Sequence, residues 1–260
     1  MKKKQFFVIW AVLFRGMVAG IWLDLPLSVK LYDPDNFMGK FMNAAAMVPS
    51  FLMLEMCCCI RISYNRDDKL MLATYIARGL LAGALCAIEI NRGLKYSDYR
   101  AALIGIVTAA VIMMVFMLMK PEVNRSHYVV STSMIISAIG VFVFTAGLKY
   151  LWGRLRFYAM TDPFSEFTSW LFPSSFSLND LNHSFPSGHT SFASLILYTA
   201  ILPDDNIKRK IYIYPIIIWI ILVMYGRIVF GAHFLSDTCA GAIIGTACVY
   251  WGYLRLQRRL

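Results

Sequence analysis

The sequence predicts an all-α protein, a polytopic transmembrane helical bundle of about eight spans. Three observations predict it. Of 260 residues, 59% are hydrophobic and 15% charged, whereas a soluble domain is about 45–50% apolar and about 25% charged. The apolar excess falls in blocks long enough to cross about 30 Å of hydrocarbon. Lysines and arginines gather between the blocks, as the positive-inside rule requires of a membrane chain. The net charge of +10 does not point to nucleic acid, because the basic residues separate apolar runs and build no basic, aromatic-laced domain.

The first span covers roughly residues 5–23. Lys2, Lys3 and Lys4 followed by an apolar run resemble a signal peptide, but Arg15 interrupts the run and no small-x-small cleavage site closes it. An uncleaved span is therefore expected. Further spans are expected at 41–60, 70–91, 101–119, 127–148, 188–203, 211–230 and 236–254. The sixth is short for the bilayer and is expected to begin above the hydrocarbon edge. Orientation follows from the connections. With both termini inside, the inner segments hold Lys2 to Lys4, then Arg61, Arg66 and Lys69, then Lys120 and Arg125, then Lys208 to Lys210, then Arg255, Arg258 and Arg259. Loop 24–40 mixes Asp24, Asp33 and Asp35 with Lys30 and Lys40; loop 92–100, with Arg92, Lys95 and Arg100, runs against the pattern. The long loop 149–187 and the loop 231–235 then face outward together.

The six cysteines lie in apolar stretches, Cys57 to Cys59 side by side. They read as small buried hydrophobes rather than a disulfide framework, and no Cys/His spacing resembles a zinc site. Arg15, Glu55, Arg78 and Glu89 fall within spans. Such charges are costly and usually face the bundle interior in pairs. Glu55 and Arg78 match in depth, either as a structural ion pair or as a grip on a polar lipid headgroup.

Chemistry concentrates in three segments at outward ends of spans. Lys149 to Arg156 reads Lys-Tyr-Leu-Trp-Gly-Arg-Leu-Arg. Pro186 to His189 reads Pro-Ser-Gly-His, a turn opening onto an apolar run whose free backbone N–H groups suit an oxyanion. Gly226 to Asp237 carries Arg227, His233 and Asp237. Cations with helix-start amides make a phosphate cradle, and two histidines suit one as nucleophile and one as acid. His233 and Asp237, four apart, share a face if both lie on one helical turn; there the carboxylate either orients the imidazole or simply caps the helix. Arg154 is read as packing or headgroup contact rather than catalysis, and His127 and His183 as surface or loop residues.

These segments resemble the signature of the type-2 phosphatidic acid phosphatase superfamily, written K-x6-R-P, P-S-G-H and S-R-x5-H-x3-D. Lys149 and Arg156 match the first part, Pro186 to His189 the second, and Arg227, His233 and Asp237 the third. Phe157 stands where the signature has proline, and Gly226 where it has serine. The resemblance covers residues from roughly 127 to 254 and implies two units, N-terminal spans 1–126 of unassigned role and a catalytic core 127–260. It also implies a membrane lipid phosphatase acting on a phosphate monoester or pyrophosphate, without metal or other cofactor. His233, oriented by Asp237, would attack phosphorus and form a phosphohistidine. His189 would protonate the leaving oxygen, then activate water. Lys149, Arg156, Arg227, Ser187 and Gly188 would hold the phosphate oxygens. The expected setting is a bacterial inner or plasma membrane with the site on the outer side; the expected partners are a lipid phosphate and the bilayer. A lipid phosphotransferase using the same phosphohistidine, or a non-enzymatic lipid-phosphate transporter, are the alternatives.

Overall fold

A computed structural model describes residues 3–65, 67–91, 98–119, 121–161, 164–201 and 206–258. Lys2, Arg66, Arg92, Lys95, Lys120 and Arg259 of the charge pattern, and the last two residues of the expected sixth span, lie outside them. All regular structure among the described residues is helical: α1 (Lys3–Leu31), α2 (Phe37–Ala45), α3 (Val48–Tyr64), α4 (Lys69–Asn91), α5 (Asp98–Met119), α6 (Arg125–Trp152), α7 (Gly188–Ala193), α8 (Tyr198–Ile201), α9 (Asn206–Val229) and α10 (Leu235–Gln257).

Among the described residues, six helical segments are long and apolar enough to cross a membrane: Lys4–Leu31, Phe37–Tyr64, Lys69–Asn91, Tyr99–Met119, Arg125–Ala159 and Ile211–Val229. They correspond to six of the eight expected spans. The other two differ for physical reasons. The stretch from 188 is broken into α7, a 3-10 turn at Ser194–Leu197 and the short α8. The last, α10, is 23 residues long but carries Ser236, Thr238, Gly241, Gly245 and Thr246, all buried. Much of its surface is packed against other helices, so it needs less hydrocarbon.

α10 is the hub of the C-terminal half, with α1, α6 and α7 packed around it, while α3, α4 and α5 form a second group joined to it where α3 meets α6. Close approach to α10 requires small residues. A Cβ at Gly241 would strike the Ser187 carbonyl, and one at Gly245 the Ser191 carbonyl. The Pro-Ser-Gly-His turn is thereby seated directly on α10.

Helix ends follow local chemistry. Asn36 caps α2, accepting from the N–H groups of Met38 at 3.0 Å and Gly39 at 3.2 Å. Asn124 accepts from the His127 N–H at 3.1 Å while His127 Nδ1 accepts from the Asn124 N–H at 3.3 Å, a reciprocal cap on α6. α6 stops at Gly153, whose φ of 56° is left-handed and whose missing Cβ makes room for the Ser175 carbonyl. The chain then turns back across the end of the bundle, carrying Arg154 and Arg156 with it. Two expectations change here. The second span is α2 and α3 in succession rather than one straight helix, and α1 runs on to Leu31, so Asp24 lies on a helix and is buried. All six cysteines are free and buried.

Candidate active site

One end of the bundle gathers the ends of α4, α6 and α9, the starts of α7 and α10, and the C-terminal third of α1. His233 precedes α10 in a short turn and is 1% exposed. Its Nδ1 lies 2.6 Å from the Ser184 carbonyl oxygen. A carbonyl can only accept, so Nδ1 carries the proton and Nε2 keeps the lone pair. Burial first, then the Arg227, Lys149 and Arg156 cations, hold this imidazole well below the ordinary histidine range. It is therefore neutral at physiological pH.

The carboxylate expected against this imidazole is engaged elsewhere. α10 starts only at Leu235, so His233 and Asp237 do not share a helical turn. Asp237 Oδ2 instead accepts from the Phe234 N–H at 2.8 Å, closing the start of α10, and from the Ser184 hydroxyl at 2.6 Å. Asp237 thus acts on His233 at one remove: it holds Ser184, and the Ser184 carbonyl holds the ring. Its other oxygen lies 2.6 Å from Arg154 Nη1.

Arg154 is completely buried. It also reaches Asp24 on α1 at 3.0 Å, the Ser236 hydroxyl at 2.9 Å and the Thr168 carbonyl at 2.9 Å, with its guanidinium 4.1 Å from the Phe234 ring centre. Ser236 donates to Asp24 from its N–H at 2.9 Å and from its hydroxyl at 2.5 Å. One arginine between two carboxylates ties α1 to the turn that carries His233.

The remaining candidates divide. Lys149, Arg156, Gly188, His189, Arg227 and His233 line one cavity of about 650 Å³. Lys149 Nζ donates to the His183 carbonyl at 2.7 Å, and Arg156 pairs with Asp180 at 2.9 Å. His183 is a loop residue but buried, not a surface one; its Nε2 lies 2.9 Å from the Ser177 carbonyl. Arg227 is 1% exposed and donates to Asn43 of α2. Ser187 does not line the cavity: fully buried, it caps α7 and accepts from the Thr190 N–H at 3.4 Å and the Thr190 hydroxyl at 3.0 Å.

From this end the cavity continues between α3, α4 and α6 over Phe51, Leu54, Leu81, Leu85, Ile135 and Phe142, with Arg78 also on its wall. Glu55 is buried on α3 away from it, and Arg78 leans toward the Tyr75 ring at 5.3 Å. The expected Glu55–Arg78 ion pair is absent, because equal depth does not make two residues face each other around their helix axes. Arg15, expected to face the interior, is exposed on the outer face of α1. Glu89 reaches the histidines at the cavity's polar end, its Oε2 lying 3.4 Å from His189 Nε2.

Both departures from the signature have physical accounts. At Gly226 a Cβ would sit 2.5 Å from the Met42 Cβ and 3.1 Å from the Met38 carbonyl, so glycine is what lets α2 pack there. Phe157, in place of proline, is buried among the Tyr32, Phe164 and Phe234 rings at 5.2, 5.2 and 6.2 Å, which fixes the segment by packing. Asp24, Asn43 and Ser184 were not anticipated. Ser184 adjoins the motif; Asp24 and Asn43 carried no local signal.

The family model for the PAP2 superfamily matches residues 127–260, just over half of the chain. A protein named phosphatidylglycerophosphatase B from Haemophilus influenzae is 31% identical over 71 residues, 25% of this chain and 30% of that protein, so less than a third of the relative's length is covered. No solved structure matches the chain significantly. The matched segment holds all three parts of the signature, and its cations and two histidines meet in one cavity at the end of an apolar helical bundle; this integral membrane chain belongs to the PAP2 superfamily.

Proposed function

We propose that the protein is a metal-independent lipid phosphatase that hydrolyses a phosphate monoester or pyrophosphate through a phosphohistidine. The observation that carries this reading is the state of His233: its Nδ1 proton is fixed by the Ser184 carbonyl, leaving Nε2 as a neutral nucleophile in a cavity shared with Lys149, Arg227 and His189. The Nε2 lone pair forms an N–P bond while the lipid P–O bond breaks, and the departing oxygen takes a proton from His189. Water, deprotonated by His189, then attacks phosphorus, the N–P electron pair returns to His233, and inorganic phosphate leaves. Lys149, Arg156, Arg227 and the Gly188 N–H meet the charge on the equatorial oxygens, which is where electrostatic stabilisation acts in phosphoryl transfer. Ser187 contributes by holding the turn rather than by touching phosphate.

In this reading residues 127–260 carry the chemistry, and α3 and α4 of the N-terminal part wall the apolar extension that takes the hydrocarbon tail. The lysines and arginines of the connections favour a site on the outer side with both termini inside. The test is release of inorganic phosphate from lipid phosphates in detergent micelles by purified protein, with and without chelator. Turnover that survives the chelator and disappears in His233→Ala supports the proposal. A His233→Ala variant that keeps turning over refutes the nucleophile assignment.

A further inference from the structure

The orienting carboxylate that the signature leads one to seek beside His233 sits instead beside the other histidine, and it comes from outside the family-matched segment. Glu89 lies on α4, 38 residues before the first matched residue, 127, and its Oε2 is 3.4 Å from His189 Nε2. The pair is largely shielded from solvent, with side chains 8% and 13% exposed for histidine and glutamate, and both line the cavity that holds His233.

We propose that Glu89 is a positioning residue for His189: its charge holds the imidazole protonated as the acid that the departing oxygen needs. The inference rests on the phosphatase reading. The cations around this cavity work against such an acid. Lys149 on α6, Arg227 on α9, Arg156 and His233 on the loops and Arg78 on α4 all line it, and positive charge nearby disfavours an imidazolium. Asp180 is the other carboxylate on the wall, but it is 77% exposed and paired with Arg156. A site crowded with cations to hold phosphate therefore needs a carboxylate placed at the acid, and α4 supplies it. In the transfer step the leaving oxygen takes the P–O electron pair and a proton from the His189 imidazolium, His189 becomes neutral, and Glu89 is left facing a neutral base ready to accept a proton from water. An alkoxide leaving group, which needs that proton most, gains most from the arrangement.

The test compares Glu89→Gln, which keeps shape without charge, with Glu89→Asp, which keeps charge one methylene back; Glu89→Ala serves if the glutamine variant does not fold. Two readings are taken on purified protein: the pH profile of kcat, and the turnover of an alkyl phosphate relative to p-nitrophenyl phosphate, whose leaving group needs little acid help. Losing an opposite charge at this range lowers an imidazole pKa by about one unit or more. The alkaline limb of kcat in Glu89→Gln is thus expected about one unit lower, with alkyl phosphate turnover falling roughly tenfold more than aryl, the span of general acid catalysis being about 10²–10⁴. Glu89→Asp should keep the wild-type limb. A Glu89→Gln profile superimposable on the wild type, or equal losses on both substrates, overturns the inference. Wild-type protein that releases no phosphate from any lipid fails the phosphatase reading instead.

Discussion

Replacing Arg154 with methionine tests the link between the N-terminal helix and the catalytic turn. The side chains of Arg154, Asp24 and Asp237 are all 0% exposed, with Arg154 at 3.0 Å from one carboxylate and 2.6 Å from the other. Removing the shared cation leaves two carboxylates facing each other away from water. Breaking a buried pair in this way costs about 3–5 kcal/mol, because the surviving charge keeps its desolvation penalty and loses its partner. For a chain of this size 1 kcal/mol moves the melting temperature by about 2–4 °C, so Arg154→Met should melt roughly 6–20 °C lower. The added Asp24→Asn change removes one of the stranded charges and should recover part of the loss. The deficit should also shrink as pH falls, since a protonated carboxyl carries no uncompensated charge. The assay is a thermal scan of purified protein in one detergent, with Arg156→Met as control. That variant breaks a pair whose aspartate is 77% exposed, so it should move the melting point little while lowering turnover. Arg154→Met melting within about 2 °C of wild type would refute the view that this network holds the catalytic turn in place.

Restoring the signature serine with Gly226→Ser should destabilise rather than improve the protein, because the Met42 side chain and the Met38 carbonyl occupy the space. Overpacking of this kind costs about 1–3 kcal/mol, read as a lower melting temperature. The acid limb of the pH profile should lie well below 6.5. His233 is held neutral by burial and by Arg227, Lys149 and Arg156, so it stays available as a nucleophile until the pH falls through its lowered value. A half-maximal point near 6.5 assigned to His233 would contradict that environment. Arg227→Ala should lower turnover and also loosen α2, whose Asn43 it engages; Asn43→Ala should reproduce only the smaller part of that loss.

The sequence pointed to the convergence of Lys149, Arg156, His189, Arg227 and His233 because three short segments sat at matching ends of apolar runs, and helix length alone sets which ends meet. It was less informative wherever rotation about a helix axis or a distant partner decides. Glu55 and Arg78 agree in depth yet form no ion pair, and Arg15 is exposed. The His233–Asp237 spacing assumed a shared helical turn, whereas α10 begins two residues after the histidine. Asp24, Asn43 and Glu89 reach the site from the N-terminal helices across 130, 184 and 100 positions, measured to Arg154, Arg227 and His189 respectively. No local pattern marks such contacts; only the packing of α1, α2 and α4 against the core brings them in. Eight apolar blocks are countable, but protein neighbours shape α10 and the α7–α8 run: α10 has the length of a span with more small and polar residues, and the α7–α8 run is broken into short pieces.

The central claim is that phosphorus passes through His233. Protein mixed with a phosphate-labelled lipid and quenched within milliseconds in alkali, where phosphohistidine survives, should yield one labelled peptide containing residue 233 and none from His233→Ala. Label on His189, or phosphate released at full rate with no labelled histidine at any quench time, would contradict the account.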